Sequence, residues 1–243
     1  FTSCAATDGT YKIGDTLTIT CTWDEAIVKA GTPTLTLSNR DTATYSSGDG
    51  SASIVFTTTI ADGDTDSSDL SVSSFSGTLA DAAGGAAAAT GTVDLGAVLV
   101  DGSTPDITGC DATDGSYGVG EAISITCTYN EAVTVTGTPT ITLSNSDVAS
   151  YASGSGSTDI VFTTTVAEGD SAASDLSVSS IQATAGGATM KDANNNDVST
   201  TITGGDLGTV TVDGDAPDFT SCAATDGTYK IGDTLTITCT WDE

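Results

Sequence analysis

The sequence predicts an all-β protein built from tandem β-sandwich domains, and three features of the chain lead to that prediction. A segment near the start recurs along the chain, apolar and polar residues alternate within each repeat, and Gly- and Asp-rich turns separate the alternating segments. Alternation with a period of two residues is typical of a β-strand that buries one face. We find no convincing stretch of helical period to compete with this pattern.

The repeat sets the expected domain boundaries. Residues 1–25 recur without a change at 219–243, and a divergent copy occupies 107–131. Because such a short segment cannot bury a sandwich core alone, we expect the last copy to continue into a further repeat or to be completed by another chain. The predicted domains are 1–106, 107–218 and the first two strands of a third repeat at 219–243.

Strands follow one another in the same order within each full repeat. In the segment 16–23, Leu17, Ile19, Cys21 and Trp23 share one face and four threonines share the other. The same alternation predicts further strands of the first repeat at 34–37, 54–57, 70–73 and 98–100. With about seven short strands in each repeat, the spacing fits an immunoglobulin-like β-sandwich.

The two full repeats differ in length within one stretch that is rich in Ala, Gly and Asn. This stretch covers 79–95 in the first repeat and 185–205 in the second, and we interpret it as a variable loop region. The alanine-rich residues 80–89 contain two adjacent glycines and no amphipathic stripe, which favours a loop over a helix.

The composition excludes several classes of function. Five basic and 33 acidic residues give a net charge of −28, and the chain contains no histidine. A surface this acidic repels nucleic acid and anionic lipid. The absence of histidine excludes His-based catalytic triads and zinc sites with histidine ligands. We also find no apolar run of about 18 residues, so no membrane span is predicted in this segment.

Six cysteines carry the strongest chemical signal. They form three pairs, each separated by 17 residues, and each pair opens one copy of the repeat. The first member lies on one predicted strand and the second on the inward face of the next, so antiparallel pairing would bring the two sulfur atoms together. We therefore predict disulfides and an oxidising, extracellular setting, with reduced core thiols as the alternative. The predicted pairs are Cys4/Cys21, Cys110/Cys127 and Cys222/Cys239.

Acidic residues near the repeat junctions are candidate calcium ligands. Calcium binds six to eight hard oxygen atoms, which flexible acidic turns provide. The alternative is a solvated acidic turn without an ion. Asp62, Asp64 and Asp66 superficially resemble a calcium loop but lack the glycine at its sixth position. The candidate ligands are Asp101, Asp106, Asp114, Glu131, Asp213, Asp215, Asp218, Asp226 and Glu243.

The sequence offers little support for catalysis, and we predict that the chain is not an enzyme. Paired carboxylates are able to hydrolyse glycosides, but any such pair here has a copy in the neighbouring repeat, whereas an enzyme normally builds its site once. The G-x-S-x-G pattern of a nucleophile elbow is absent. A phosphate-binding glycine loop with a lysine is absent as well.

The order of motifs DGTYKIGDTLTIT, WDEAI, GTPTLTLS, SIVFTTTIADGD, SDLSV and VDGSTPD resembles the tandem bacterial Ig-like, cadherin-like repeats of giant adhesin and cell-surface proteins. The resemblance covers both full repeats and the last copy. It implies an extracellular stalk or fibre of stacked sandwiches, often stiffened by calcium between domains. The chain departs from the family in two respects, because cysteines replace apolar residues and an adhesive tip domain is absent from this segment.

Two functions follow as expectations. The first is a structural protein of the cell surface or extracellular space, forming a stalk, fibre or filament whose partners are copies of itself or flanking repeats. The alternative is an adhesion module that binds carbohydrate or a cell-surface partner. Solvent-facing aromatic residues are typical of such modules, but Trp23 and Trp241 lie on the predicted core-facing register.

Overall fold

A computed structural model describes residues 1–87 and 91–242, and it is all-β. Within these residues the one helical segment is a single 3-10 turn at Ala185–Gly187. Nothing helical in this described part of the chain has the length and apolarity needed to cross a membrane. The predicted fold class is therefore confirmed at the level of an all-β architecture with several sheets.

Contacts divide the chain into two compact units. Unit 1 comprises Phe1–Asp106, Asn130–Val135 and Thr189–Ser199. Unit 2 comprises Ile107–Tyr129, Thr136–Ala188 and Thr200–Glu243. Two segments that follow the first repeat in the sequence, 130–135 and 189–199, thus pack with unit 1.

The strands of residues 1–106 form two sheets. The larger sheet has the order β4-β5-β3-β6-β7, with β1 paired to β3 and a further β3–β4 pairing. The smaller sheet is a parallel pair of β2 and β8. The strands are β1 (Ser3–Ala5), β2 (Gly9–Lys12), β3 (Thr16–Leu37), β4 (Thr42–Ser47), β5 (Ser51–Thr59), β6 (Ser71–Asp81), β7 (Val93–Asp94) and β8 (Val98–Asp101).

The core of unit 1 consists of the face that the alternating pattern predicts. Leu17, Ile19 and Cys21 are fully buried, whereas Thr16 and Thr18 on the opposite face are exposed. Phe56 of β5 lies opposite Ile19 in the strand pairing and is also fully buried. Each fully buried aliphatic or aromatic side chain contributes about 1.5–3 kcal/mol to folding, so this alternation supplies much of the driving force.

Two predicted strands of the first repeat are joined in one strand that contains a bend. The pattern predicts separate strands at 16–23 and 34–37, but β3 continues through Gly31-Thr32-Pro33 to Leu37. Gly31 has a φ of +68°, and the pairing with β6 shifts register between Ala30 and Thr34. A glycine tolerates this left-handed conformation without strain, so the chain bends and resumes pairing. The alanine-rich stretch predicted as a loop starts in β6 and is not helical at 82–87, and its residues 88–89 lie outside the described residues.

The strands after residue 106 repeat the same plan and end in a separate hairpin. The larger sheet has the order β15-β12-β13-β14-β11-β16 with β9 on β11, β10 pairs in parallel with β17, and β18 pairs with β19. The strands are β9 (Ile107–Ala112), β10 (Gly115–Tyr117), β11 (Ala122–Thr136), β12 (Thr140–Leu143), β13 (Val148–Ser153), β14 (Ser157–Thr165), β15 (Val178–Gln182), β16 (Thr189–Lys191), β17 (Val210–Val212), β18 (Phe219–Ala224) and β19 (Ile237–Trp241).

Candidate functional site

All six cysteines form disulfides, in the three predicted pairs. Each bond joins residues that lie directly opposite one another on adjacent antiparallel strands, with Cα atoms 4.0 Å apart. This arrangement follows from the sequence, because the alternating pattern places the second cysteine of each pair on the inward face. The bonds link Cys4 to Cys21, Cys110 to Cys127 and Cys222 to Cys239.

Each disulfide closes a short loop that contains the start of a repeat. Cross-linking two residues that are 17 positions apart removes loop-closure entropy from the unfolded chain, worth on the order of 3 kcal/mol in the chain-entropy model. The first two bonds are buried in the cores of their units, since the side chains of Cys21 and Cys127 have no exposed surface. These bonds therefore fix the first strands of the repeats to the strands that carry most of the core.

A second candidate site lies in unit 1, where a loop folds around the carboxylate of Asp192. One oxygen of Asp192 accepts backbone N–H groups from Asn194 at 2.7 Å and from Asn196 at 2.9 Å. The other oxygen accepts the side-chain amide of Asn196 at 2.9 Å. Asp192 and Asn196 are both buried. This hydrogen bonding compensates for the cost of placing a carboxylate out of water.

The same loop contacts the end of β8. The side-chain amide of Asn194 donates a hydrogen bond to the carboxylate of Asp101. The amide nitrogen of Asn196 donates to the backbone oxygen of Ser103 at 3.3 Å, while its oxygen accepts the backbone N–H of Ile13 at 3.0 Å. Asn196 thus joins three segments of unit 1. Asp66 also reaches this region, where it accepts the backbone N–H of Gly102 at 2.9 Å.

Glu131 is the residue whose ionisation this arrangement perturbs. Burial, together with the negative charges of nearby carboxylates, raises the pKa of Glu131 to about 7. Burial is the larger cause, because it disfavours the charged form, and like charges act in the same direction. The contributing carboxylates are those of Asp192, Asp101, Asp66 and Asp106. Burial and the neighbouring carboxylates therefore both favour the neutral form of the Glu131 side chain.

The structure brings some of the predicted calcium ligands together. Asp101, Asp106 and Glu131 belong to unit 1 and to the electrostatic cluster described above. Asp114 belongs to unit 2, where its carboxylate accepts the backbone N–H of Thr209 at 2.7 Å. Asp213 accepts the backbone N–H of Asp215 at 3.2 Å, so these two residues form a local turn.

Two of the three remaining candidates, Asp218 and Asp226, lie near or within the C-terminal hairpin. Asp218 and Asp226 are exposed, and Asp218 donates its backbone N–H to the carboxylate of Asp242 at 2.7 Å. Glu243 lies outside the described residues. Within residues 1–87 and 91–242 no group of three or more acidic or cysteine side chains has the spacing needed to hold a metal ion. The calcium assignment therefore stays a prediction.

Sequence reasoning did not identify Asp192, Asn194 and Asn196, which organise the cluster. They lie in the variable stretch 185–205, for which the sequence predicts only a loop region. A signal was available, because Asp192 and Asp81 occupy equivalent places in the two repeats. The carboxylate of Asp81 accepts the backbone N–H groups of the residues two and four positions later, as that of Asp192 does.

Comparison with known proteins adds no assignment. No protein-family model matches the chain, and no curated protein matches it.

Proposed function

We propose that the chain is a structural repeat protein of the cell surface or extracellular space, in which immunoglobulin-like sandwich repeats form a stalk, fibre or filament. One observation carries the proposal, namely that the same disulfide-bonded pair of strands recurs three times. In each copy the two cysteines face one another in the strand pairing, as Cys4 faces Cys21 in the first copy.

Repetition of a covalently fixed unit favours a mechanical function over a chemical one. Each added copy in a repeat protein extends the array and contacts its neighbours, so length and stiffness grow with copy number. The buried parts of the first two copies are packed with side chains such as Leu17 and Ile123. Interiors filled with packed side chains stabilise the fold, which supports a structural function for these modules.

The disulfides also support the proposed location. Disulfides form and persist in secreted and cell-surface proteins and are rare in reducing compartments. All six cysteines of this chain are paired, and a net charge of −28 suits an exposed, strongly hydrated surface.

Calcium is the proposed ligand of the cluster around Glu131. Carboxylate, amide and backbone oxygens are the donors that calcium prefers, and the charges of Asp101 and Asp192 that raise the pKa of Glu131 would favour a cation there. Since these side chains do not yet have ligand spacing, binding would require them to move. A calcium titration monitored by isothermal titration calorimetry tests calcium binding separately from the structural proposal.

Small-angle X-ray scattering of the whole chain tests the structural proposal. An extended array of sandwiches predicts a maximum dimension that grows by roughly 35–45 Å for each full repeat, from about 11 residues of strand at 3.3 Å each. If the scattering comes from single chains, the maximum dimension should stay the same over a tenfold range of protein concentration. A compact particle whose dimension does not exceed that of one sandwich would contradict the proposal.

An adhesion module is the second candidate, and one observation favours it. Trp241 of the C-terminal hairpin is exposed, although the alternating pattern predicts it on the core-facing side, and Phe219 of the same hairpin is exposed as well. Aromatic residues of this kind are enriched at binding interfaces. A glycan array probed with the whole chain and with a Trp241→Ala variant separates the two functions. Specific micromolar binding that Trp241→Ala abolishes would favour adhesion.

A further inference from the structure

Two loops in equivalent places of the two repeats share one backbone conformation. They are the alanine loop, residues 81–86 with the sequence DAAGGA, and the asparagine loop, residues 192–197 with the sequence DANNND. In both loops the first aspartate accepts the backbone N–H groups of the residues two and four positions later, and its own N–H donates to the backbone oxygen four positions later. The fourth residue has a positive φ in both, 87° at Gly84 and 69° at Asn195. Because the alanine loop folds in this way without any asparagine, this conformation does not require the asparagine side chains.

The asparagine loop contacts the end of residues 1–106. Asn196 is 2% exposed, and its side-chain oxygen accepts the backbone N–H of Ile13 at 3.0 Å. Its amide nitrogen donates to the backbone oxygen of Ser103 at 3.3 Å. A buried amide stabilises a contact only where its donor and its acceptor both find partners, so the contact around Asn196 is selective. Both sides of the contact belong to unit 1, and the acceptor surface consists of Lys12, Ile13, Asp101 and Ser103.

Lys12 gives the acceptor surface a positive charge in a chain that has only five basic residues. Its ammonium group donates a hydrogen bond to the backbone oxygen of Asn195 at 3.0 Å. In the pairing of β2 with β8, Lys12 lies opposite Asp101, whose carboxylate accepts the side-chain amide of Asn194. Hydrogen bonds that involve a charged group are stronger than neutral ones, so the lysine and the carboxylate both strengthen the contact with the loop.

Both sides of this contact change in the other repeat. Ala83 and Gly85 replace the two asparagines whose side chains contact the acceptor surface. Gly118 replaces Lys12, which removes the ammonium group from the equivalent end of the second repeat. A loop of the first kind is therefore unable to form these side-chain hydrogen bonds with an end of the second kind. Differences on both sides of a contact allow discrimination between alternative partners.

We propose that the asparagine loop and the acceptor surface form a matched pair that determines which repeat docks on which. The loop of one repeat binds the end of the preceding repeat most tightly where that end carries the lysine, and Asn196 and Lys12 are the residues that determine this specificity. The partner of such an end is thus the asparagine-containing loop of a following repeat. The inference deepens the proposed array and rests on that function, because the order of repeats matters only where several repeats are joined.

Hydrogen exchange in the whole chain, measured by NMR in the presence of a chelator, tests the proposal. Asn196→Gly gives the asparagine loop the residue that the alanine loop has at this place. We expect the protection factor of the Ile13 N–H to fall on the order of tenfold, because the loop leaves the acceptor surface. The N–H of Asn194, which donates to Asp192, should keep its protection. A simultaneous loss at Asn194 would contradict the proposal, since Asn196 would then be needed to fold the loop.

Asn195→Gly is the matched control within the same loop. It removes an asparagine side chain but keeps the backbone oxygen that Lys12 contacts, and glycine tolerates the positive φ at this position. The protection of the Ile13 N–H should therefore stay the same. A fall equal to that of Asn196→Gly would mean that any change in the loop has this effect, which would overturn the proposal.

Lys12→Met tests the contact from the acceptor surface, because it removes the ammonium group and leaves the hydrogen bond from the Ile13 N–H to Asn196 in place. We expect the protection factor of Ile13 to fall about threefold. The double variant Lys12→Met/Asn196→Gly should match Asn196→Gly alone, since the loop has then already left. An unchanged value for Lys12→Met, or effects that add in the double variant, would overturn the proposal. The scattering test of the stalk does not depend on these values, so the two proposals fail separately.

Discussion

Ile19 and Ile237 are the same residue in two identical segments, but Ile19 is buried in the core of unit 1 and Ile237 is largely exposed. Their side chains have the same conformational preferences, so any difference in their effect on stability must come from packing. The pair provides an internal control that few proteins offer.

We expect Ile19→Ala to lower the free energy of unfolding by about 2–5 kcal/mol, because it leaves a cavity in a closely packed core. Ile237→Ala should change it by less than about 0.5 kcal/mol, as is usual for exposed positions. Urea denaturation of the two variants measures both values. Equal losses would mean that the hairpin shares in the stability of the folded units.

Glu131 makes stability depend on pH. Its folded-state pKa is raised to about 7, so folding favours the protonated form. The favourable contribution is complete below the ordinary pKa of glutamate and is lost as the pH rises through 7. We expect Glu131→Gln, measured in chelator, to melt several degrees above the unmodified chain at pH 8 and at nearly the same temperature at pH 4.

The magnitude of this effect is modest because Glu131 is only partly buried, and solvent screening limits it to about 1 kcal/mol. Glu25→Gln, at the equivalent exposed position of the first repeat, is the matched control for removal of one charge. If both variants gain the same stability at pH 8, a general reduction of net charge explains the result and the cluster does not.

At the scale of whole elements, the first and third disulfides join strands that differ in how deeply their side chains are buried. Cys4→Ala/Cys21→Ala should destabilise unit 1 by about 3 kcal/mol, because the bond constrains a loop in the unfolded chain and lies in the core. Cys222→Ala/Cys239→Ala removes the same bond from the exposed hairpin. We expect differential scanning calorimetry to show a lower melting temperature for the first variant and an unchanged one for the second.

Strands and disulfides were accessible from the sequence because each depends on a local pattern. The alternation around Leu17 and Ile19 identifies the buried face without reference to any other strand. The bend at Gly31 could not be predicted from a local pattern. Its flanking segments continue as one strand because both pair with β6, and that pairing joins residues far apart in the sequence.

The acidic cluster around Glu131 was also only partly predictable from the sequence. Asp101 and Glu131 are recognisable as acidic residues near the predicted repeat junction, and they do lie in one electrostatic cluster. Asp192 and Asn196 are not recognisable, since Asn196 is buried through its hydrogen bonds with Asp101, Ser103 and Ile13, and Asp192 is hydrogen-bonded in turn by Asn196. Buried polar residues acquire their roles from tertiary hydrogen bonds, which a single sequence does not reveal.

For the whole molecule, the net charge leads to a prediction about the effect of calcium on stability. A net charge of −28 destabilises the folded state through self-repulsion, and a cation bound to the cluster around Glu131 would offset part of it. Millimolar calcium should therefore raise the melting temperature relative to chelator. Sodium chloride at the same ionic strength controls for screening, and an equal rise with sodium would exclude a specific site.

The most direct test of the structural proposal is immunoelectron microscopy of the source cells with antibodies against residues 1–218. The account predicts label outside the cell membrane, arranged along extended stalks or fibres, with no permeabilisation needed. Label confined to the cell interior, or restricted to isolated compact particles, would contradict it.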